Sequence, residues 1–243
     1  MLRLPQQVPL EGVAAISTTA QPAKTRVAIW DWPTRLVHWL IMGLVAFCWW
    51  SAETDQLALH ETAGEVLVGL VVFRLIWGVV GSSTARFSDF LRGPRAVIAY
   101  VGELGRGKTG RAMIGHNPLG GWSVAAMLGL LALDLGLGLF AVDVDGDQPG
   151  PFANLISFDD GRTIAHVHHW VFNALLALIA LHLVAIAFYA LVRRDNLVGP
   201  MLTGAKAAHP DAEPMTRAPL WRLAVAAAIA ALAAVLIARG GRL

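Results

Sequence analysis

Residues 165–191 read AHVHHWVFNALLALIALHLVAIAFYAL. A helix needs about twenty apolar residues to cross the hydrocarbon core of a bilayer, and this run is longer than that and contains no Asp, Glu, Lys or Arg. Similar runs lie near 34–52, 60–80, 119–142 and 218–238. Of the 243 residues, 56% are hydrophobic and 15% charged, and the mean hydropathy of +0.58 lies outside the range of ordinary soluble domains. The expected fold is all-α, an integral membrane helical bundle with a four-helix core and a fifth, C-terminal transmembrane helix. Asp31 ahead of Trp32 and Pro33 has the form of a capped helix start, since proline fits a first turn where its missing N–H costs nothing. The fifth run is alanine-rich and weakly patterned, and its role is not legible.

Lys and Arg accumulate in loops that stay in the cytoplasm. Arg3, Lys24, Arg26 and Arg35 lead into the first span; Arg86, Arg92, Arg95, Arg106, Lys108 and Arg111 fill the 82–118 connection; Arg193, Arg194, Lys206, Arg217 and Arg222 follow the fourth span. The connection after the first span has Glu53 and Asp55 with no basic residue, and the 143–164 connection has five aspartates against Arg162 alone. The N-terminus is therefore expected inside and the two acidic connections outside. The first 26 residues lack a continuous apolar core or a small-residue cleavage site and do not resemble a secretory signal. The expected organisation is a flexible cytoplasmic arm at 1–30, a four-helix domain at 31–205, and a linker with the last helix at 206–243. A net charge of +2 and a pI near 9.0 do not argue for nucleic acid, because the basic residues flank apolar segments, where orientation accounts for them.

Ionisable groups inside spans invite a functional reading. His38, His60 and His182 lie within spans, and His166, His168 and His169 cluster where the fourth begins. A single such histidine is as readily an interhelical hydrogen bond; several at matched depths are not. With the N-terminus inside, His38 is near the cytoplasmic end and His60 near the outer end. His168 and His182 are fourteen residues apart, roughly 21 Å of rise and about 40° from a common face, whereas His169 and His166 lie roughly 140° and 160° from His182. The pairs at shared depth are His38 with His182, on the cytoplasmic side, and His60 with His168, on the outer side. Each can clamp one haem iron. The single cysteine, Cys48, excludes an intrachain disulfide, a four-cysteine iron–sulfur cluster and C-x-x-C-H haem attachment, so any haem is held noncovalently.

Arg74 lies fourteen residues after His60, at the depth of His38 and His182, where it can neutralise a haem propionate; the alternative is an arginine snorkelling from a helix end. Gly64, Gly69, Gly129, Gly136 and Gly138 can make room for porphyrin faces or serve plain helix packing. Asp134 has no evident partner, and either a proton path or hydrogen bonding to Ser or Trp would account for it. Trp32, Trp49, Trp50, Trp122, Trp170 and Trp221 at span ends read first as an interfacial belt.

The segments WDWPTRLVHW leading the first span, H-x-x-x-G at His60 to Gly64, FRLIWG at 73–78, GHNPLGG at 115–121 and HHWVFNALLALIALH ending at His182 together resemble the prokaryotic cytochrome b561 group, which overlaps with the b-type cytochrome subunits of membrane hydrogenases. The resemblance covers roughly 27–205. It implies a bundle in the bacterial inner membrane with two bis-histidine b haems held from the first, second and fourth spans, and exchange with quinone. It also implies that Arg74 and GHNPLGG sit beside the cytoplasmic haem, with His116 as a propionate or quinone partner, a plain loop residue being the alternative. One departure is Asp134, where relatives are expected to carry a neutral residue, so a proton role is not inherited from the family.

The leading expectation is a conduit that links quinone to a redox partner at the outer, periplasmic face. Two bis-histidine sites leave no open iron position, which disfavours oxygen binding. The acidic outer loops favour a basic protein partner such as a soluble cytochrome c. The runner-up, from the same resemblance, is oxidation of superoxide at the outer face with quinone as acceptor; the third class is a non-redox membrane anchor or transporter. Lipid surrounds the bundle, and a homodimer is compatible with this reading.

Overall fold

The computed structural model describes residues 25–106, 115–146, 148–208 and 213–240. Lys24, Lys108, Arg111, Asp147 and the start of the N-terminal arm lie outside the described residues. Five helices are long and apolar enough to cross a membrane: α1 (Trp32–Glu53), α2 (Leu57–Val80), α5 (Pro118–Gly138), α6 (Phe158–Leu191) and α8 (Leu220–Ala238). Between them lie the short helices α3 (Phe87–Phe90), α4 (Pro94–Gly105) and α7 (Val198–Thr203). The ends of the spans follow local chemistry. Asp31 caps α1 by accepting from the Thr34 N–H at 2.8 Å, and Asn117 caps α5 by accepting from Gly120 at 2.7 Å, just ahead of Pro118. Ser157 caps α6, whose first turn carries Asp159 and Asp160, where negative charge meets the positive end of the helix dipole.

The spans pack as two groups. Helix α2 lies against α1 and α8, α5 lies against α6, and α2 meets α5 between the groups. A plug of Val45 and Cys48 from α1, Ala63, Leu67 and Val71 from α2, Leu128 and Leu131 from α5, and Leu175 from α6 closes the middle of the bundle. Leu175 is midway along the chain between His168 and His182, and Val45, Cys48, Leu67 and Leu131 of the plug also form part of the wall of the cavity at His60 and His168. Helix α6 buries only Gly161 and Leu175 of its 34 residues, leaving most of its surface to lipid and to whatever occupies the bundle on either side of the plug.

Helix α8 is integral to the bundle. Its Ala226 and Ala230 are buried with Val37, Phe73 and Trp77, and a Cβ at Gly69 would stand 3.1 Å from the Ala234 Cβ and 3.3 Å from the Ala230 carbonyl oxygen. Gly69 therefore serves close approach of two helices, the packing alternative of the two that the sequence left open for it.

Residues 25–28 also depart from the expectation of a free arm. Thr25–Ala28 (β1) pairs antiparallel with Ala205–Ala208 (β2), and the Gly204 carbonyl accepts from the Ile29 and Trp30 N–H groups. Gly204 ends α7 at φ +82°, and a Cβ there would stand 2.9 Å from the Trp30 carbonyl oxygen, so glycine is required on both counts.

Candidate functional site

His60, in the first turn of α2, and His168, on α6, face each other across the bundle with ring centroids 6.1 Å apart and planes at 82°. Each ring is held from behind by a neighbouring span. The His60 Nδ1–H donates to the Cys48 carbonyl of α1 at 2.9 Å, and the His168 Nδ1–H donates to the Asp134 carbonyl of α5 at 3.0 Å. A carbonyl oxygen only accepts, so both protons sit on Nδ1 and both Nε2 atoms carry a free lone pair. This is the anchoring that metal-ligating histidines use.

The spacing also fits. An imidazole nitrogen binds a metal at about 2.0–2.1 Å, and with roughly 1.1 Å from that nitrogen to its ring centre, two imidazoles on opposite sides of one ion have centres about 6.3 Å apart. Among the described residues, no group of three or more His, Cys, Asp or Glu side chains forms a metal cage. A lone opposed pair suits a metal whose remaining ligands come from a macrocycle. The adjoining cavity of about 350 Å³, with Gly64, Leu67, Leu131, Gly138 and Phe172 in its wall, is of the size of small-molecule sites and is largely apolar. A Cβ at Gly64 would meet nothing within 4 Å, and one at Gly138 would come 3.4 Å from the His168 ring.

His166 and His169 are exposed, whereas His168 is partly buried against Asp134, as the helical register predicts. Asp134, for which the sequence offered no evident partner, thus lies against His168, with Oδ1 2.9 Å from His168 Nδ1. Thirty-four residues separate the two, and no local pattern could have joined them.

At the other level, Arg74 is buried rather than snorkelling, 7% exposed, with its guanidinium 5.1 Å from the centre of the Phe87 ring. His116 lies between the rings of Trp30 and Phe90 at 4.6 and 4.7 Å. Burial, followed by the nearby Arg74, His182 and His38, pushes the His116 pKa down to about 3, so the ring is neutral near pH 7. Four elements thus bring Arg74, His116, His38 and His182 into one neighbourhood. The His38 Nδ1, His116 Nδ1 and one guanidinium nitrogen of Arg74 are buried without a hydrogen-bond partner. Buried polar groups are nearly always paired, and an anionic group carrying oxygen acceptors, such as a porphyrin propionate, fits the orphaned atoms of Arg74 and His116.

Sequence reasoning missed the hub at Asp31. Besides capping α1, its carboxylate accepts from Trp77 Nε1 at 2.9 Å and from the Ser82 hydroxyl, tying α1 to the end of α2. It also missed the Tyr100 and Tyr189 hydroxyls, 2.5 Å apart, with Asn117 donating to Tyr189 at 3.0 Å. The tryptophans expected in a belt, from Trp32 to Trp221, are all exposed.

The family model described as prokaryotic cytochrome b561 matches residues 29–204. Searches of curated proteins and of solved structures found no match.

Proposed function

Because the chain belongs to the prokaryotic cytochrome b561 family, it is a multi-pass b-type cytochrome of a bacterial membrane, and we propose that it holds two haems and carries electrons between membrane quinone and a redox partner at the outer face. In this reading His60 and His168 would hold the outer haem, His38 and His182 the inner one, and the N-terminus is cytoplasmic. The observation that carries it is the opposed His60 and His168 pair, with both Nδ1 atoms tied to backbone carbonyls and both Nε2 atoms left to bind. When bound, haem supplies one-electron chemistry at a six-coordinate iron, with no position open to oxygen.

The chain's own residues do the rest. Cys48 and Asp134 orient the outer imidazoles, the Leu67, Leu131 and Leu175 plug excludes water between the levels, and Arg74 with His116 receives the inner propionates or a quinone oxygen. Family membership sets aside the non-redox anchor or transporter. Superoxide oxidation is the weaker redox reading, since the walls of the outer cavity include Glu53, Glu61, Glu65 and Asp143 but neither Lys nor Arg, and a negative field slows an anionic substrate.

The test is haem quantification and an absorption spectrum of the purified protein. Two haems per chain with the narrow bands of low-spin b haem are expected. One haem, or a high-spin spectrum with an open iron position, would overturn the di-haem bis-histidine reading.

A further inference from the structure

Asp134 is the one charged residue of the α5 span, and it is 5% exposed. A carboxylate at such a place is costly unless it is paired. The backbone oxygen of Asp134 accepts from His168 Nδ1 at 3.0 Å, and the carboxylate Oδ1 lies 2.9 Å from the same nitrogen without a hydrogen bond of its own. The backbone oxygen alone would fix the tautomer and the ring orientation, as the Cys48 carbonyl does for His60. The carboxylate is therefore surplus to positioning, and what it adds is negative charge directly behind one ring.

A carboxylate behind a metal-bound imidazole makes that ligand more basic, and negative charge favours the oxidised, more positive state of the metal. The cavity wall adds Glu53, Glu61, Glu65 and Asp143, with no Lys or Arg among its residues. The other level differs, because the buried charge beside His116, His38 and His182 is the Arg74 guanidinium, although a second buried charge, Asp31, lies within its reach. Asp31, whose charge is felt at Arg74, is already engaged by Thr34, Trp77 and Ser82.

We propose that the Asp134 carboxylate acts electrostatically through His168 to make the outer haem the lower-potential of the two, so that at equilibrium the first electron into the protein resides on the inner haem. The proposal rests on His60 and His168 as the outer ligands. Its distinctive content is that the order of the two potentials is written in buried side chains of opposite charge, Asp134 beside His168 and Arg74 at the other level, and that the outer half of this asymmetry is carried by Asp134.

The experiment is a spectroscopic redox titration of the haem-loaded protein in detergent, for the native chain, His60→Ala, Asp134→Asn and Asp134→Glu. His60→Ala should abolish the lower-potential wave and leave the upper one, which assigns the levels. Asp134→Asn keeps the backbone oxygen and so should keep two low-spin haems. It should raise the lower wave by about 59 mV, a tenfold change for one electron, and leave the upper wave in place. Asp134→Glu should restore the native value. An unmoved lower wave in Asp134→Asn, or loss of the upper wave in His60→Ala, overturns the proposal. If Asp134→Asn fails to retain the outer haem, Asp134→Glu decides: a lower wave within 15 mV of native supports the proposal, and a larger rise overturns it. Two haems remaining in His60→Ala would instead overturn the ligand assignment beneath it.

Discussion

The rings of His60 and His168 stand 6.1 Å apart, centre to centre, each pinned through Nδ1 by a different neighbouring helix. Of the three clustered histidines of α6, His168 is the one whose ring faces His60; His166 and His169 are exposed, and His169 also borders the cavity. His168→Ala is therefore expected to lower haem from two to one per polypeptide, while His166→Ala and His169→Ala keep two. Loss of haem in His169→Ala with retention in His168→Ala would mean that α6 is rotated by about 100°.

Two glycines of α2, five residues apart, should respond in opposite ways. Gly64 lines the outer cavity, where a Cβ meets nothing within 4 Å, whereas Gly69 is pressed on Ala230 and Ala234 of α8. Gly64→Leu fills the cavity and should reduce the outer haem with little change in folding. Gly69→Leu should keep both haems and destabilise the bundle by about 1–3 kcal/mol through overpacking. Haem content and the thermal unfolding midpoint in detergent separate the two, and equal effects on both readouts would contradict the assignment of Gly69 to helix packing.

Asp31 serves three donors at once: the Thr34 N–H, Trp77 Nε1 and the Ser82 hydroxyl. Asp31→Ala removes a helix cap, about 1 kcal/mol, and leaves two buried donors unpaired at about 1–3 kcal/mol each. A loss of about 3 kcal/mol or more is expected, read as a marked drop in the unfolding midpoint, with Asp31→Asn losing less because its carbonyl still accepts. A midpoint within error of the native chain would show the hub to be energetically idle.

Much of this architecture was legible because membrane spans announce themselves locally. The apolar runs located all five helices to within a few residues at most ends, although α6 begins seven residues before the run and α5 ends at Gly138. The periodicity of 3.6 selected His168, and Asp31 announced the start of α1. What was not legible depends on distant partners. Nothing in Thr25–Ala28 identifies Ala205–Ala208 as its strand partner, since four residues of mixed character carry no register. Helix α8 has no polar pattern because its own small residues, Ala226, Ala230 and Ala234, pack against Gly69, Phe73 and Trp77 of α2. Asp134 pointed to function by its cost alone, and only the packing of α5 on α6 revealed its partner.

Arg74 offers a test of the inner level. Its buried guanidinium lies near His116, with one nitrogen lacking a partner. A unit charge at roughly 10 Å in an effective dielectric of about 20 contributes about 1.7 kcal/mol. Arg74→Leu is therefore expected to keep both haems and lower the potential of the inner one by about 59 mV or more, a tenfold or greater shift, because loss of positive charge disfavours the reduced form. If only the outer wave responds, Arg74 does not belong to the inner site.

The last prediction concerns the partner. The segments that the proposed orientation puts at the outer face carry Glu53, Asp55, Asp143, Asp145, Asp159 and Asp160, all exposed or half-buried, against Arg162 alone among the described residues. Long-range attraction of a basic protein to such a surface is screened once the Debye length falls to about 8–10 Å, near 0.1–0.15 M salt, and charge complementarity acts mainly on the rate of encounter. In proteoliposomes with the outer face exposed, a quinol analogue is expected to reduce both haems, and a basic soluble cytochrome should then reoxidise them at a rate that falls as salt rises. Replacing Asp159 and Asp160 together by Asn should flatten that salt dependence without altering haem content, since neither lies in the wall of the haem cavity. Rapid reduction of the haems by superoxide, with no exchange with basic cytochromes at any ionic strength, would replace the protein partner with a small anion. Haems left oxidised by a quinol whose potential permits their reduction would remove quinone from the reading, while the two histidine pairs, tested by haem content, would stand on their own.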